Sequence, residues 1–336
     1  MSRIKAGVNA PQSQFEAVYS EEAREKIGNL VDLDQQRLPV EATPEAVVES
    51  VRGARVILST WSAVPYTDEL LAVCPDLELI LYAAGSFKKV VTNALIRRNP
   101  TVCTAVHLNA VPTAEYSLML ILAALKDVGP FVHRVRNEGP AGFAKDKYQF
   151  SLGYYRTTVA LLGLGMVSRY LAGLLQNFDV EILMADDYLT AGEAAQLGVT
   201  PVGLEEALTR ADVVSIHHAD VPRNRRIINR DTLSLMKPGA RIVNTSRGRM
   251  IDEDALVEAL TAERVSAYLD VTDPEPPPAG HPFYSLPNCV LTPHIAGSLG
   301  QEVHRMGDYC VRELGHWLAG EPFEHTIDIG DLADRA

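Results

Sequence analysis

Short apolar runs alternate with amphipathic stretches along nearly the whole of this chain. Residues 4–8, 55–60, 77–82 and 101–105 read as strands, with helical pattern at 21–29, from 68–73 and at 92–98. Strand followed by helix, repeated, is the pattern of a parallel sheet covered on both faces. From Pro112 to Lys126 the chain is apolar nearly all round, which predicts a helix buried between domains or subunits, with the proline in its first turn. Residues 127–157 are rich in Gly, Pro and charge and read as a linker, the first domain boundary. A second alternating series follows, with strands expected at 158–162, 180–185, 212–216, 241–244, 266–269 and 289–291. A helix is expected at 252–260, opening on an acidic turn. The amphipathic stretch 300–318 predicts a helix that returns to the first domain.

Composition narrows the function without choosing it. The 336 residues suit two domains with ordinary cores. A net charge of −12 with scattered basic residues gives no nucleic-acid footprint and no attraction to anionic lipid. Cys74, Cys103, Cys289 and Cys310 form no CxxC pair, which argues against a disulfide framework or zinc site and for a reducing compartment. The start of the chain lacks the apolar core of a signal peptide, and the longest apolar run, 118–125, is too short to cross a bilayer. A cytoplasmic protein is expected, and no ligand cluster implies a metal.

Two patterns carry chemistry. The first is a strand running into Gly163-Leu-Gly165-Met166-Val167-Ser168 and then a helix. Gly163 permits a tight turn, Gly165 lets backbone approach a pyrophosphate, and Met166 and Val167 offer it N–H groups. Ser168 stands where the fingerprint wants its third glycine. Asp186 ends the next strand, 23 residues after Gly163, where an acid is wanted for ribose hydroxyls. With Asp187 beside it and no Arg or Lys nearby in sequence, a 2′-phosphate would be repelled, so NAD is preferred over NADP. The second pattern is a cation, a carboxylate and an imidazole, each just past a strand: Arg247, Glu275 and His294. An Arg can hold and polarise a 2-oxo acid, a His can give its carbonyl oxygen a proton, and a Glu can keep that His charged.

Gly163-Leu-Gly165, Asn244-Thr-Ser-Arg-Gly248, Asp270-Val with Glu275-Pro276, and Thr292-Pro-His-Ile-Ala-Gly297 together resemble the signature blocks of the D-isomer-specific 2-hydroxyacid dehydrogenases. The likeness runs from about residue 80 to 320 and is faint over the N-terminal 50 residues. It implies two doubly wound parallel-sheet α/β domains: a Rossmann cofactor domain, residues 128–299, inserted in a flavodoxin-like substrate domain, residues 1–127 and 300–336. It further implies closure of the cleft between them and a homodimer formed through the cofactor domain. By the same likeness Asp270 meets the nicotinamide carboxamide, Thr245, Ser246 and Gly297 line the cofactor, and His217 lies toward the adenine. Ala84-Gly85-Ser86 matches the loop whose N–H groups meet the substrate carboxylate, and Trp61 follows the strand that leads into the specificity loop. After Ser86 the family's usual Asp-Asn pair is replaced by Phe-Lys-Lys, which leaves substrate size and charge open. Relatives that oxidise formate have Gln where Glu275 stands, which argues against that activity.

The leading expectation is therefore an NAD-dependent dehydrogenase or reductase for a D-2-hydroxy acid and its 2-oxo acid. Two alternatives stand beside it. One is an NAD(H)-sensing protein of the corepressor type, which shares fold and trio. The other is oxidation of a phosphonate or of phosphoglycerate, although the end soon after the second crossing helix leads to the expectation of no regulatory domain of the kind some phosphoglycerate dehydrogenases carry.

Overall fold

The computed structural model of the chain describes residues 3–143 and 153–330. They divide into two compact units, 1–110 with 298–336, and 111–297.

The first unit holds a five-stranded parallel sheet. Its strands are β1 (Lys5–Asn9), β2 (Asp32–Leu33), β3 (Val56–Ser59), β4 (Leu79–Tyr82) and β5 (Thr101–Thr104), in the order β2-β1-β3-β4-β5. That is the flavodoxin-like order. Alternate residues of each strand feed opposite faces. Leu58 and Leu81 pack with helices Gln12–Val18, Glu21–Leu30 and Glu302–Ala319, whereas Ile57 and Ile80 pack with Pro44–Val51, Asp68–Ala72 and Asn93–Arg98.

The second unit holds seven parallel strands: β6 (Thr157–Leu162), β7 (Val180–Ala185), β8 (Thr200–Pro201), β9 (Val213–Ile216), β10 (Ala240–Asn244), β11 (Val265–Leu269) and β12 (Cys289–Leu291). Their order is β12-β11-β10-β9-β6-β7-β8. Counted within the unit this is 3-2-1-4-5-6 with a seventh strand added, the doubly wound dinucleotide arrangement, and its switch point lies between β6 and β9. Leu162 pairs with Ile216, Ile216 with Asn244, Asn244 with Leu269 and Leu269 with Leu291. Five strands therefore end at one level, and the candidate site residues begin one residue beyond it.

Four expectations need correction. Helix formation does not start at Pro112: one helix runs Val106–Leu125 with the proline inside it. Its first turn belongs to the first unit and the rest to the second, so the division falls at 110/111 and 297/298 rather than at 127/128 and 299/300. The stretch read as a linker contains helix Val128–Glu138 and a 3-10 turn at Gly139–Gly142, and its residues 144–152 lie outside the described residues. Its composition hid the helix because glycine and proline fall in its first turn, where a helix tolerates them. Helix Val106–Leu125 is also long and apolar enough to cross a membrane, which the run 118–125 concealed. Its Ala114, Leu120, Ile121, Ala124 and Leu125 are packed with Val159, Leu161 and Val243, so core burial accounts for its apolar character.

Candidate active site

The glycine turn leaves β6 at the switch point. Gly163 has φ +104, and a Cβ there would lie 2.7 Å from the amide nitrogen of His218, so only glycine fits. Gly165 is different: a Cβ at that position would meet no atom of the chain closer than 3.9 Å. The space beside it is thus not needed for packing and is open to a ligand. Helix Met166–Leu175 starts there with no acidic residue in its first turn. Its first N–H groups have no intrahelical partners, and its dipole favours an anion. Ser168, the departure from the glycine fingerprint, is buried and accepts the Gly165 N–H at 2.8 Å, which fixes the turn. The turn fits a pyrophosphate.

Asp186 follows β7, and its carboxylate accepts the N–H of Leu164 at 2.7 Å and of Tyr188 at 2.8 Å, joining the acidic loop to the glycine turn. The argument that no arginine stands near this acid holds along the sequence but not in space. Arg223 donates to the Tyr188 hydroxyl at 3.1 Å, stacks on its ring, and feels both Asp187 and Asp186. His217, just past β9, shares a 2.8 Å hydrogen bond with Ser215, and burial followed by the charge of His218 pushes its pKa down to about 3. Its ring is neutral at pH 7.

The trio follows three neighbouring strands, β10, β11 and β12. After β10, buried Asn244 accepts the Ser246 N–H at 3.1 Å and donates to the Arg247 carbonyl at 2.9 Å, folding the turn that presents Arg247. The Thr245 hydroxyl shares a 2.7 Å hydrogen bond with Ser117, and Ser246 donates to the His218 carbonyl. Arg247 is exposed; its guanidinium donates to the Ser246 carbonyl and enters no ion pair among the described residues. Most of its five donors therefore remain available. Arg249 instead lies 3.3 Å from the Asp273 carboxylate.

After β11 comes Asp270, 1% exposed. One of its oxygens accepts the Thr292 hydroxyl at 2.6 Å and the Ile295 N–H at 2.9 Å, and the other accepts the Ala296 N–H at 2.8 Å. Its backbone carbonyl accepts the His294 N–H at 3.0 Å. Asp270 thereby clamps the loop after β12. Within that loop His294 has φ +56, a left-handed conformation unusual outside glycine and common where a site imposes it. The clamp holds the strained residue so that its Nδ1 stands 2.6 Å from Glu275 Oε1, with the ring and the carboxylate both about half exposed. A carboxylate on Nδ1 leaves Nε2 as the atom that can exchange a proton with a bound molecule.

In the first unit Ala84 and Gly85 are buried after β4 and Ser86 is partly so; Asn109 lies against Gly85, and its Oδ1 accepts the Ser298 N–H at 3.0 Å. Trp61 packs on the edges of both cores of that unit. Farther along, Glu313, His316 and Glu324 each bring one ligand atom within 4.8 Å of the others. Arg312 takes up Glu324, and the Glu324 amide takes up Glu313, so those oxygens are engaged inside the protein.

Sequence reasoning missed Asn244, Asn109, Ser117 and Arg223. The one signal available was Asn244, within the motif but read only as its frame.

A doubly wound sheet with an open glycine turn, and a carboxylate-held imidazole on the same edge, defines a dinucleotide-binding protein. The family model "D-isomer specific 2-hydroxyacid dehydrogenase, NAD binding domain" matches residues 118–296, over half the chain, and the chain belongs to that family, whose cofactor is NAD. D-3-phosphoglycerate dehydrogenase of Mycobacterium tuberculosis is 30% identical over 291 residues, 86% of this chain and 52% of that protein. The chain thus spans about half the length of such curated relatives. Glycerate dehydrogenase of Methylorubrum extorquens is 29% identical over 288 residues, 83% of this chain and 88% of that protein. In fold the chain is similar to holo D-mandelate dehydrogenase of Rhodotorula graminis, with TM-score 0.83 and 21% identity over 97% of this chain and 98% of that one.

Proposed function

We propose that this chain is an NAD-dependent dehydrogenase acting on a D-2-hydroxy acid and its 2-oxo acid. The observation that carries the reading is the 2.6 Å pair of His294 and Glu275, one strand from a guanidinium that enters no ion pair among the described residues. Met166 and Val167 would meet the pyrophosphate, and Asp186 the ribose hydroxyls. Thr245, Ser246, Asp270, Gly297 and His217 would line the rest of the cofactor. NAD, when bound, supplies or accepts the hydride. Arg247 pairs with the substrate carboxylate and polarises the 2-oxo group. His294 Nε2 gives that oxygen a proton in reduction and removes it in oxidation. Glu275 takes the Nδ1–H, aligning the ring and fixing its tautomer. Ala84, Gly85, Ser86 and Trp61 are the proposed substrate contacts. The four cysteines are all free, which supports a cytoplasmic setting.

The test is loss of NADH absorbance with 2-oxo acids running from glyoxylate and hydroxypyruvate to branched and aryl ones. 3-Phosphohydroxypyruvate is included because of the phosphoglycerate dehydrogenases among the relatives. Turnover of at least one of these acids is expected. Tight NADH binding with no turnover across the panel would count against the enzyme and for a sensor.

We also propose a homodimer formed by the second unit. Helix Val128–Glu138 has no buried residue, and Val128, Val132 and Met119 are exposed at 45%, 43% and 48%. Light scattering should give twice the 36.7 kDa of one chain, and Val132→Lys should shift the protein to half that mass. A wild-type protein that runs as a single chain would refute this.

A further inference from the structure

We infer that Glu253 is a positioning residue for the proton-handling pair: its side chain anchors the backbone of the loop that presents Glu275 to His294. This rests on the reading of that pair as acid and base. Glu253 opens helix Glu253–Thr261, directly after Asp252, whose side chain caps that helix at the Ala255 N–H. An acid in a first helical turn is ordinarily explained by the helix dipole, and exposed Asp254 needs no more than that. Glu253 instead is partly buried, and its Oε1 accepts the Asp273 N–H at 2.7 Å, two residues before Glu275.

The same loop is gripped from other sides. Gly248 approaches Thr272 so closely that a Cβ at 248 would lie 2.0 Å from the Thr272 carbonyl carbon. Arg249 holds the Asp273 carboxylate, and the Thr272 hydroxyl donates to the Pro274 carbonyl at 2.9 Å. All these grips fall on residues 272–274, so the position of Glu275 follows from theirs. Glu253 makes its bond against resistance. Burial first, then the like charges of Asp273 and Asp254, push its carboxyl up to about 7, with the Asp273 N–H pulling the other way. Cys289, on β12, feels its charge.

Glu253→Ala should lower kcat about 10- to 100-fold through misplacement of Glu275, with NADH affinity and KM for the 2-oxo acid unchanged. Glu253→Gln keeps an acceptor oxygen and should recover most of the rate. In a Glu275→Ala background, Glu253→Ala should cost nothing more, because the two act through one contact. An unchanged kcat in Glu253→Ala, a Gln variant as poor as Ala, or additive losses would overturn the inference. One measurement stands apart from turnover: the proton NMR signal of His294 Nδ1–H, assigned by its absence in His294→Asn. It should shift or broaden in Glu253→Ala and persist in Glu253→Gln; an unchanged signal in the alanine variant would overturn the inference even if no acid in the panel is reduced. Conversely, loss of that signal without turnover in the wild type would sink the enzymatic reading and leave the positioning intact.

Discussion

His294→Asn is expected to lower kcat by roughly 10²–10⁴-fold and to leave NADH binding and thermal stability nearly unchanged. Asparagine is the informative replacement because His294 sits at φ +56, a region that Asn tolerates better than Ala. An alanine variant would add backbone strain to the lost imidazole and blur the result. Asparagine preserves the loop clamped by Asp270 and removes only the group that can exchange a proton at neutral pH. Stability should not suffer, since the ring is 48% exposed and its side-chain partner is the half-exposed Glu275. Steady-state kinetics with the best acid of the panel decide the matter. A kcat within threefold of wild type would remove His294 from the chemistry.

The largest loss of stability is expected from Asp127→Ala. Arg241 Nη2 donates to both carboxylate oxygens of Asp127, at 2.8 and 2.9 Å, and Nε to one of them at 3.3 Å, with the Asp127 and Arg241 side chains only 9% and 7% exposed. Burial raises the Asp127 carboxyl despite the arginine beside it, a sign that desolvation outweighs the attraction. Such a pair adds little net stability, yet removing one partner of a buried ion pair costs about 3–5 kcal/mol. Urea denaturation should show that loss for Asp127→Ala. Asp127→Leu with Arg241→Met should recover much of it, because both buried charges are then removed together. An unchanged midpoint for the single variant would contradict this account.

Most of the strand pattern was legible because these sheets are parallel and covered on both faces, which writes each strand as a short apolar run. The expectations for 180–185 and 289–291 coincide with β7 and β12. Helix Pro44–Val51 and the two-residue strands β2 and β8 were not foreseen, being too short to show a period. The long helix was misplaced at its start because proline is normally a first-turn residue, whereas here it lies within a continuous helix. Around the site, the ordered motifs singled out Arg247, Glu275 and His294 as candidates, and the structure sets Glu275 against His294. The residues that hold them were not visible in the same way. Glu253 looked like an ordinary acid in a first helical turn, and Arg223 lies 37 positions from Asp186, so only folding brings it near.

The strand order has a consequence for how such a protein can change. The nucleotide turn and its acid leave β6 and β7, whereas the cation, carboxylate and imidazole leave β10, β11 and β12, with β9 between the two groups. The two groups thus stand on separate strands, although one core backs both, with Leu162 and Ala185 in the same cluster as Ile242 and Leu269. Exchanges at Arg247, Glu275 or His294 leave the glycine turn and Asp186 on strands of their own, so selection in the laboratory for new acids can begin on one side of the sheet while that turn stays as it is.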